Sequence, residues 1–130
     1  MAERNVLPRP TDSELAILRV LWERGEGTVR EVHDVLSEKS TIGYTTILKL
    51  LQIMTEKGLE QRDESARAHV YRARATEQKT QRQLVSDLLQ RAFWGSASKL
   101  VLQAWSTEQA SAEELEEIRG LLARLEEKTK

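Results

Sequence analysis

The sequence predicts a mostly α fold with one small β-hairpin, and three observations carry that expectation. Apolar residues recur at helical spacing in several separate stretches, each opened by a capping signature or closed by glycine. One region between them changes to short strand-like runs around a polar turn. The chain has 130 residues, 32% charged and 39% hydrophobic, in keeping with a helix-rich globular protein.

The opening stretch, MAERNVLPRP, reads as an extended arm, because Pro8 and Pro10 fix their own backbone and disfavour helix before them. Thr11-Asp12-Ser13-Glu14 then forms a capping box, in which Thr11 caps and Glu14 reaches back. A first helix runs to about Arg24, with Leu15, Leu18, Leu21 and Trp22 facing inward, and Gly25 and Gly27 end it. A second box, Thr28-Val29-Arg30-Glu31, opens a helix whose inner face is Val29, Val32, Val35 and Leu36. Ser40 to Gly43 make the turn into the third helix. That helix, Tyr44 to Gly58 (YTTILKLLQIMTEKG), is the most informative segment. Ile47, Leu50, Leu51 and Met54 form one face at i, i+3, i+4, i+7. Thr45, Thr46, Lys49, Gln52 and Glu56 form the other. Gly58 supplies the left-handed stop.

The period then changes. Leu59 to Arg62 and Val70 to Ala73 read as two short strands, with Asp63 to Arg67 as turn material between them. Three helices followed by a hairpin make a winged helix-turn-helix domain over residues 1–75. Residues 76–130 read as a C-terminal helical dimerisation segment. Thr76 starts a helix to about Phe93, with Leu84, Val85, Leu88, Leu89 and Ala92 on one side, and Gly95-Ser96 interrupts it. A short segment follows, Leu100 to Trp105. A third box, Ser111-Ala112-Glu113-Glu114, opens the last helix, where Leu115, Ile118, Leu122 and Leu125 repeat at 3-4-3 spacing as a seam for another helix. A segment of about 55 residues buries too little surface to stand alone. A second copy of the chain is the simplest cover. The expected partner is therefore the chain itself, with Leu88, Phe93, Leu100, Val101, Trp105, Leu115, Ile118 and Leu122 at the homodimer interface.

The formal charge of −1 argues against a broad polyanion binder. Local placement leaves room for a specific one: residues 41–74 hold six Lys/Arg against four Asp/Glu. There is no cysteine, and His33 and His69 are the only histidines, so no metal site and no cofactor is expected. No apolar run reaches the roughly 18 residues of a membrane span, and the opening arm lacks the apolar centre of a signal peptide. The expected location is cytoplasmic, with no membrane partner. No glycine-rich phosphate loop or nucleophile beside a base can be named, so the chain does not read as an enzyme.

A helix with short polar donors in its first turn, preceded by two smaller helices, fits a reader of the DNA major groove. Thr45 and Thr46 offer hydroxyls to base edges or phosphates and methyls to thymine; the competing role for one of them is a helix cap. Lys49, one turn on, suits a phosphate or a guanine edge. Tyr44 either reaches a phosphate or continues the apolar face. Arg67 at the hairpin tip, Arg72 on its second strand and Arg9 in the arm suit phosphates, which position without reading sequence. Arg62 and Arg74, beside the wing, are equally well explained as solvated. His69 reads as a polar wing residue and His33 as an inert one on the outer side of the second helix. Trp22 reads as core, and Trp94 and Trp105 as dimer packing. The Glu113-Glu114-Glu116-Glu117 run reads as a negative first turn that favours the helix dipole. The rival reading is a winged-helix protein–protein interaction module without DNA binding.

Taken in order, these segments resemble the BlaI/MecI/CopY transcriptional repressors. Thr11-Asp12-Ser13-Glu14-Leu15 with Leu21-Trp22 resembles that family's opening, and Thr28-Val29-Arg30-Glu31-Val32 its second helix. Tyr44-Thr45-Thr46-Ile47 through Lys57-Gly58-Leu59 resembles its recognition helix. Phe93-Trp94-Gly95-Ser96, Leu100-Val101 and Glu113-Glu114-Leu115-Glu116-Glu117-Ile118 resemble its dimerisation segment. The resemblance implies a winged-helix homodimer on a dyad-symmetric operator, repressing β-lactamase, methicillin-resistance or copper-homeostasis genes. It also implies release by a membrane-bound sensor protease or its downstream effector. The copper branch's cysteine cluster is absent here. The pair equivalent to the Asn-Phe bond cut in staphylococcal members is Gln103-Ala104. Where other members place more arginine on the recognition helix, this chain has Leu48 and Ile53, so affinity is expected to lean on the wing.

Overall fold

The computed structural model describes residues 8–107 and 111–129. Its elements are α1 (Asp12–Arg24), α2 (Val29–Leu36), α3 (Tyr44–Lys57), β1 (Glu60–Asp63), β2 (Val70–Ala73), α4 (Glu77–Phe93), α5 (Ala97–Thr107) and α6 (Ala112–Thr129). The described chain is thus six helices and a two-stranded antiparallel hairpin. It divides into two compact units, one up to Leu84 and one from Val85.

In the first unit the helix starts follow from their caps. The Thr11 hydroxyl accepts the Glu14 amide at 3.2 Å while the Glu14 carboxylate accepts the Thr11 amide at 2.8 Å. Thr28 and Glu31 repeat the arrangement at 3.2 and 2.9 Å. Each box satisfies two amides that the first helical turn leaves without partners. α3 ends at Gly58, whose φ of +82° is left-handed and open to glycine without strain.

Ile17, Leu18, Val20 and Leu21 of α1, Val29 and Val32 of α2, and Ile47, Leu51 and Met54 of α3 are buried together with Leu59 and Tyr71. Ile17 and Val20 extend the inward face beyond Leu15, Leu18, Leu21 and Trp22. The reason is that α1 is covered on several sides, by α2, α3 and β2, so a single stripe understates it. Leu15 and Trp22 are only partly buried. The Trp22 indole donates to the Ala75 carbonyl at 2.8 Å, tying α1 to the chain after β2.

The hairpin pairs Glu60 with Ala73, Gln61 with Arg72, Arg62 with Tyr71 and Asp63 with Val70. β1 begins one residue later than expected, because the Leu59 amide still bonds the Met54 carbonyl at 2.9 Å and closes the α3 C-terminus. Gly27 adds a bridge on the other edge of β2: its amide donates to the Tyr71 carbonyl at 3.0 Å and its carbonyl accepts the Tyr71 amide at 2.8 Å. The loop between α1 and α2 thereby anchors the base of the wing.

α3 is also fastened to α1. The Lys57 ammonium lies 2.7 Å from Glu14 Oε1, the oxygen that already accepts the Thr11 amide. Burial raises the Glu14 pKa, but the Lys57 ammonium and the Thr11 amide outweigh it, and the carboxyl sits below its ordinary value.

In the second unit, α5 is longer than the expected 100–105 segment because Ser96 starts it, its hydroxyl accepting the Lys99 amide at 3.3 Å. Trp94 (φ +47°) and Gly95 (φ +85°) make the turn between α4 and α5. Ser111 caps α6 by accepting the Glu114 amide at 3.1 Å. Much of the apolar surface expected to need a second copy as cover is exposed in the single chain. Val85 and Leu88 of α4 and Leu121, Leu122 and Leu125 of α6 are about half exposed, and Trp94 is 86% exposed. Ala97, Ser98, Val101, Leu102, Trp105 and Leu122 line an open apolar hollow of about 540 Å³.

Candidate nucleic-acid interface

The first turn of α3 is where the polar donors converge. Gly43 is its N-cap, in extended conformation (φ −84°, ψ 157°), and no side chain caps the helix. Neither Thr45 nor Thr46 is therefore a cap. Both lie exposed, as do Lys49, Gln52 and Glu56, on the side away from buried Ile47, Leu51 and Met54. Lys49 carries no ion pair among the described residues. The same end of the helix also carries the amides of the open first turn and the positive end of the helix dipole. Leu48 and Leu50 are partly buried against the core, whereas Ile53 is 37% exposed.

Tyr44 is 46% exposed. Its ring meets the His33 imidazole edge-on, with centroids 5.9 Å apart and planes at 66°. His33, expected to be inert, thus supports the N-terminal end of α3, a contact between residues eleven apart that no local pattern announces. His69 is half-buried beside the wing.

The wing arginines separate into two groups. Arg62 bonds the Glu64 carboxylate through Nε and Nη2, each at 2.9 Å. Arg72 is paired with Glu26, its cross-strand neighbour through the Gly27–Tyr71 rung. Arg67, in the exposed loop between β1 and β2, and Arg74, just after β2, carry no side-chain ion pair among the described residues. The loop is shaped by Asp63, whose carboxylate accepts the Ser65 amide at 2.9 Å; that bond holds its pKa below the ordinary value. Arg9 lies exposed in the arm ahead of α1.

One functionally placed group was invisible to pattern reading. Glu60 is 1% exposed at the root of the wing, next to the C-terminal end of α3. One carboxyl oxygen accepts the Thr55 hydroxyl, and the other, Oε2, has no hydrogen-bond partner among the described residues. Burial pushes its pKa up to about 7 against the opposing influence of Thr55 and the Arg62 charge. A glutamate two residues past a glycine reads as surface, and only the three-dimensional cover of α3 and β2 puts it inside.

The residues expected at a homodimer interface are placed on three helices: Leu88 and Phe93 on α4, Leu100, Val101 and Trp105 on α5, and Leu115, Ile118 and Leu122 on α6. Phe93, Leu100, Leu115 and Ile118 are partly buried; the others are exposed. Gln103 and Ala104 are adjacent within α5, so the bond between them is helical. Among the described residues no helix is long and apolar enough to cross a membrane.

Known proteins share this arrangement. The profile of the penicillinase repressor family matches residues 10–124. The chain is 34% identical over 121 residues to the transcriptional regulator BlaI of Mycobacterium tuberculosis, covering 92% of this chain and 87% of that protein. It is 28% identical over 116 residues to the penicillinase repressor of Bacillus licheniformis, covering 89% and 91% respectively. Among solved structures, the DNA-binding domain of the repressor BlaI superposes with a TM-score of 0.50 at 28% identity, over 57% of this chain and 90% of that one.

Proposed function

The chain belongs to the penicillinase repressor family, and from that premise we propose how this DNA-binding transcriptional repressor, which is not an enzyme, engages its target. Each subunit of a homodimer lays α3 in the major groove of one half of a dyad-symmetric operator, and the two half-sites lie about one helical turn or more apart. Thr45 and Thr46 meet base edges or phosphates, Lys49 and Tyr44 flank them, and Arg67 at the wing tip holds the backbone. Arg72 and Arg9 contribute phosphate contacts at the edge of the footprint, Arg72 by exchanging Glu26 for DNA. Bound DNA of this kind lies in the cytoplasm, where the repressor works by obstructing transcription of a β-lactamase-type resistance gene.

The observation that supports this reading is the start of α3: a first turn with no side-chain cap and two exposed threonines, followed one turn on by Lys49, which carries no ion pair among the described residues. Homodimerisation is supported by the apolar surface of α4, α5 and α6 that the described chain leaves uncovered. Inactivation runs through a cut between Gln103 and Ala104, made by a membrane-bound sensor protease or its effector. Because that bond is helical, α5 must open locally before it can be cleaved. Repressor recovered from cells exposed to a β-lactam carries the cleaved fragment in its mass spectrum if this is right, and only the intact chain if it is not.

The deciding experiment is selection of bound fragments from genomic DNA, followed by titration of the enriched duplex against random duplex at several salt concentrations. The expected result is a small set of fragments sharing a two-fold symmetric motif, with log-linear loss of affinity as salt rises. A chain that binds all duplexes alike, or none, is a protein–protein module instead. A monomeric mass in sedimentation at micromolar concentration refutes the homodimer.

A further inference from the structure

Ile53 stands out on α3. Among the described residues up to Leu84, Tyr44 and Ile53 are the only large apolar side chains left exposed. Tyr44 has the His33 ring against it; Ile53 points outward from a helix whose other large apolar residues are buried or packed on the core. At 3.6 residues per turn, Thr46, Lys49 and Ile53 (i, i+3, i+7) form one stripe, and Gln52 flanks it. Buried Ile47, Leu51 and Met54 occupy the opposite side. Ile53 therefore lies on the polar, exposed side of the helix.

We propose that Ile53 is a specificity-determining residue that reads the 5-methyl group of a thymine in the major groove. The inference rests on α3 being the recognition helix. An aliphatic side chain cannot donate or accept a hydrogen bond, so it has nothing to gain from a phosphate or from most base edges. The thymine methyl is the apolar group that the major groove displays, and it marks both an A·T pair and its orientation. From Thr46 to Ile53 the helix rises roughly 10 Å, about three base steps at 3.4 Å each. The thymine thus lies about three base pairs along the groove from the site met by Thr46. Glu56, exposed one turn further on the same side, is repelled by phosphate and sets the limit of the contact.

The test replaces thymine by deoxyuracil, which removes the methyl and leaves every hydrogen-bonding group in place. The probe is a short duplex enriched from a randomised library by the full wild-type chain, with each thymine exchanged in turn. Wild type loses about fourfold in affinity at one position per half-site, the worth of one buried methyl group. Ile53→Ser binds the thymine duplex about sixteenfold more weakly, about fourfold for each half-site, and is indifferent to deoxyuracil there, whereas Ile53→Val keeps the wild-type pattern. The salt slope is the same for all three chains, because no phosphate contact changes. Deoxyuracil losses identical in wild type and Ile53→Ser at every position overturn this inference alone. A wild-type chain that enriches no sequence from the library overturns the recognition-helix reading as well.

Discussion

The two units of this chain differ in how they deal with their apolar side chains. Up to Leu84, eleven apolar residues from three helices and the hairpin close over one another. From Val85 onward, no large apolar side chain is buried among the described residues, although α4, α5 and α6 carry a leucine-rich face, α5 carries Trp105, and Trp94 lies in the turn before it. The first unit is complete as it stands. The second has the composition of a core without the enclosure, and an exposed apolar face of that kind is what an interaction surface presents. On the proposed function, the unit with the closed core reads DNA and the unit with the open apolar face joins two copies.

The largest expected effect tests the unfinished half. Leu122→Asp places a charge on the exposed apolar face and should yield a monomer. Operator affinity then falls by about 10²–10⁴-fold, the gain that bivalency supplies. The thermal transition of the first unit should not move. A variant that sediments as a dimer shows that the interface lies elsewhere.

The next effect probes the first unit at Glu60, whose Oε2 has no hydrogen-bond partner among the described residues. The folded chain holds the Glu60 proton up to about pH 7, whereas an unfolded chain releases it near the ordinary value of 4.5. Between those values the folded state binds more protons, so stability falls as pH rises through that window and levels off above it. The shift corresponds to about 3 kcal/mol. Glu60→Gln should flatten the dependence and be the more stable chain near neutrality; urea unfolding across the window checks both. Parallel curves for the two chains would contradict a neutral buried carboxyl.

Smaller effects separate the surface contacts. Thr46→Ala should lose about 1–3 kcal/mol of discrimination between operator and random duplex while folding normally; an unchanged ratio removes the residue from recognition. Arg67→Ala should weaken all duplexes alike and reduce the salt slope by about one unit. An unaltered slope removes Arg67 from the phosphate contacts and leaves Arg74 as the unpaired wing cation.

Local chemistry made much of the first unit legible. The boxes at Thr11 and Thr28 and the stop at Gly58 depend on residues three or four apart, and they fall where the spacing places them. The polar side of α3 was equally plain, because helical period alone separates Thr45, Lys49 and Gln52 from Ile47 and Leu51. Pairings distant in sequence were not legible. Nothing near Gly27 announces that Tyr71 will bond it, nothing near Glu26 announces Arg72, and the cover over Glu60 comes from elements on both sides of it. In the second unit the 3-4-3 spacing of Leu115, Ile118, Leu122 and Leu125 was clear, but spacing describes a face and not what lies against it.

The shared oxygen of Glu14 has a mechanical meaning. The same atom starts α1 and grips the far end of α3 through Lys57, so α3 cannot swivel without fraying the helix that supports it. If α3 is the reading helix, such a mount presents its threonines at a preset inclination. A groove too narrow or too straight would then have to yield, and base steps that no side chain touches would enter the choice of target through their stiffness.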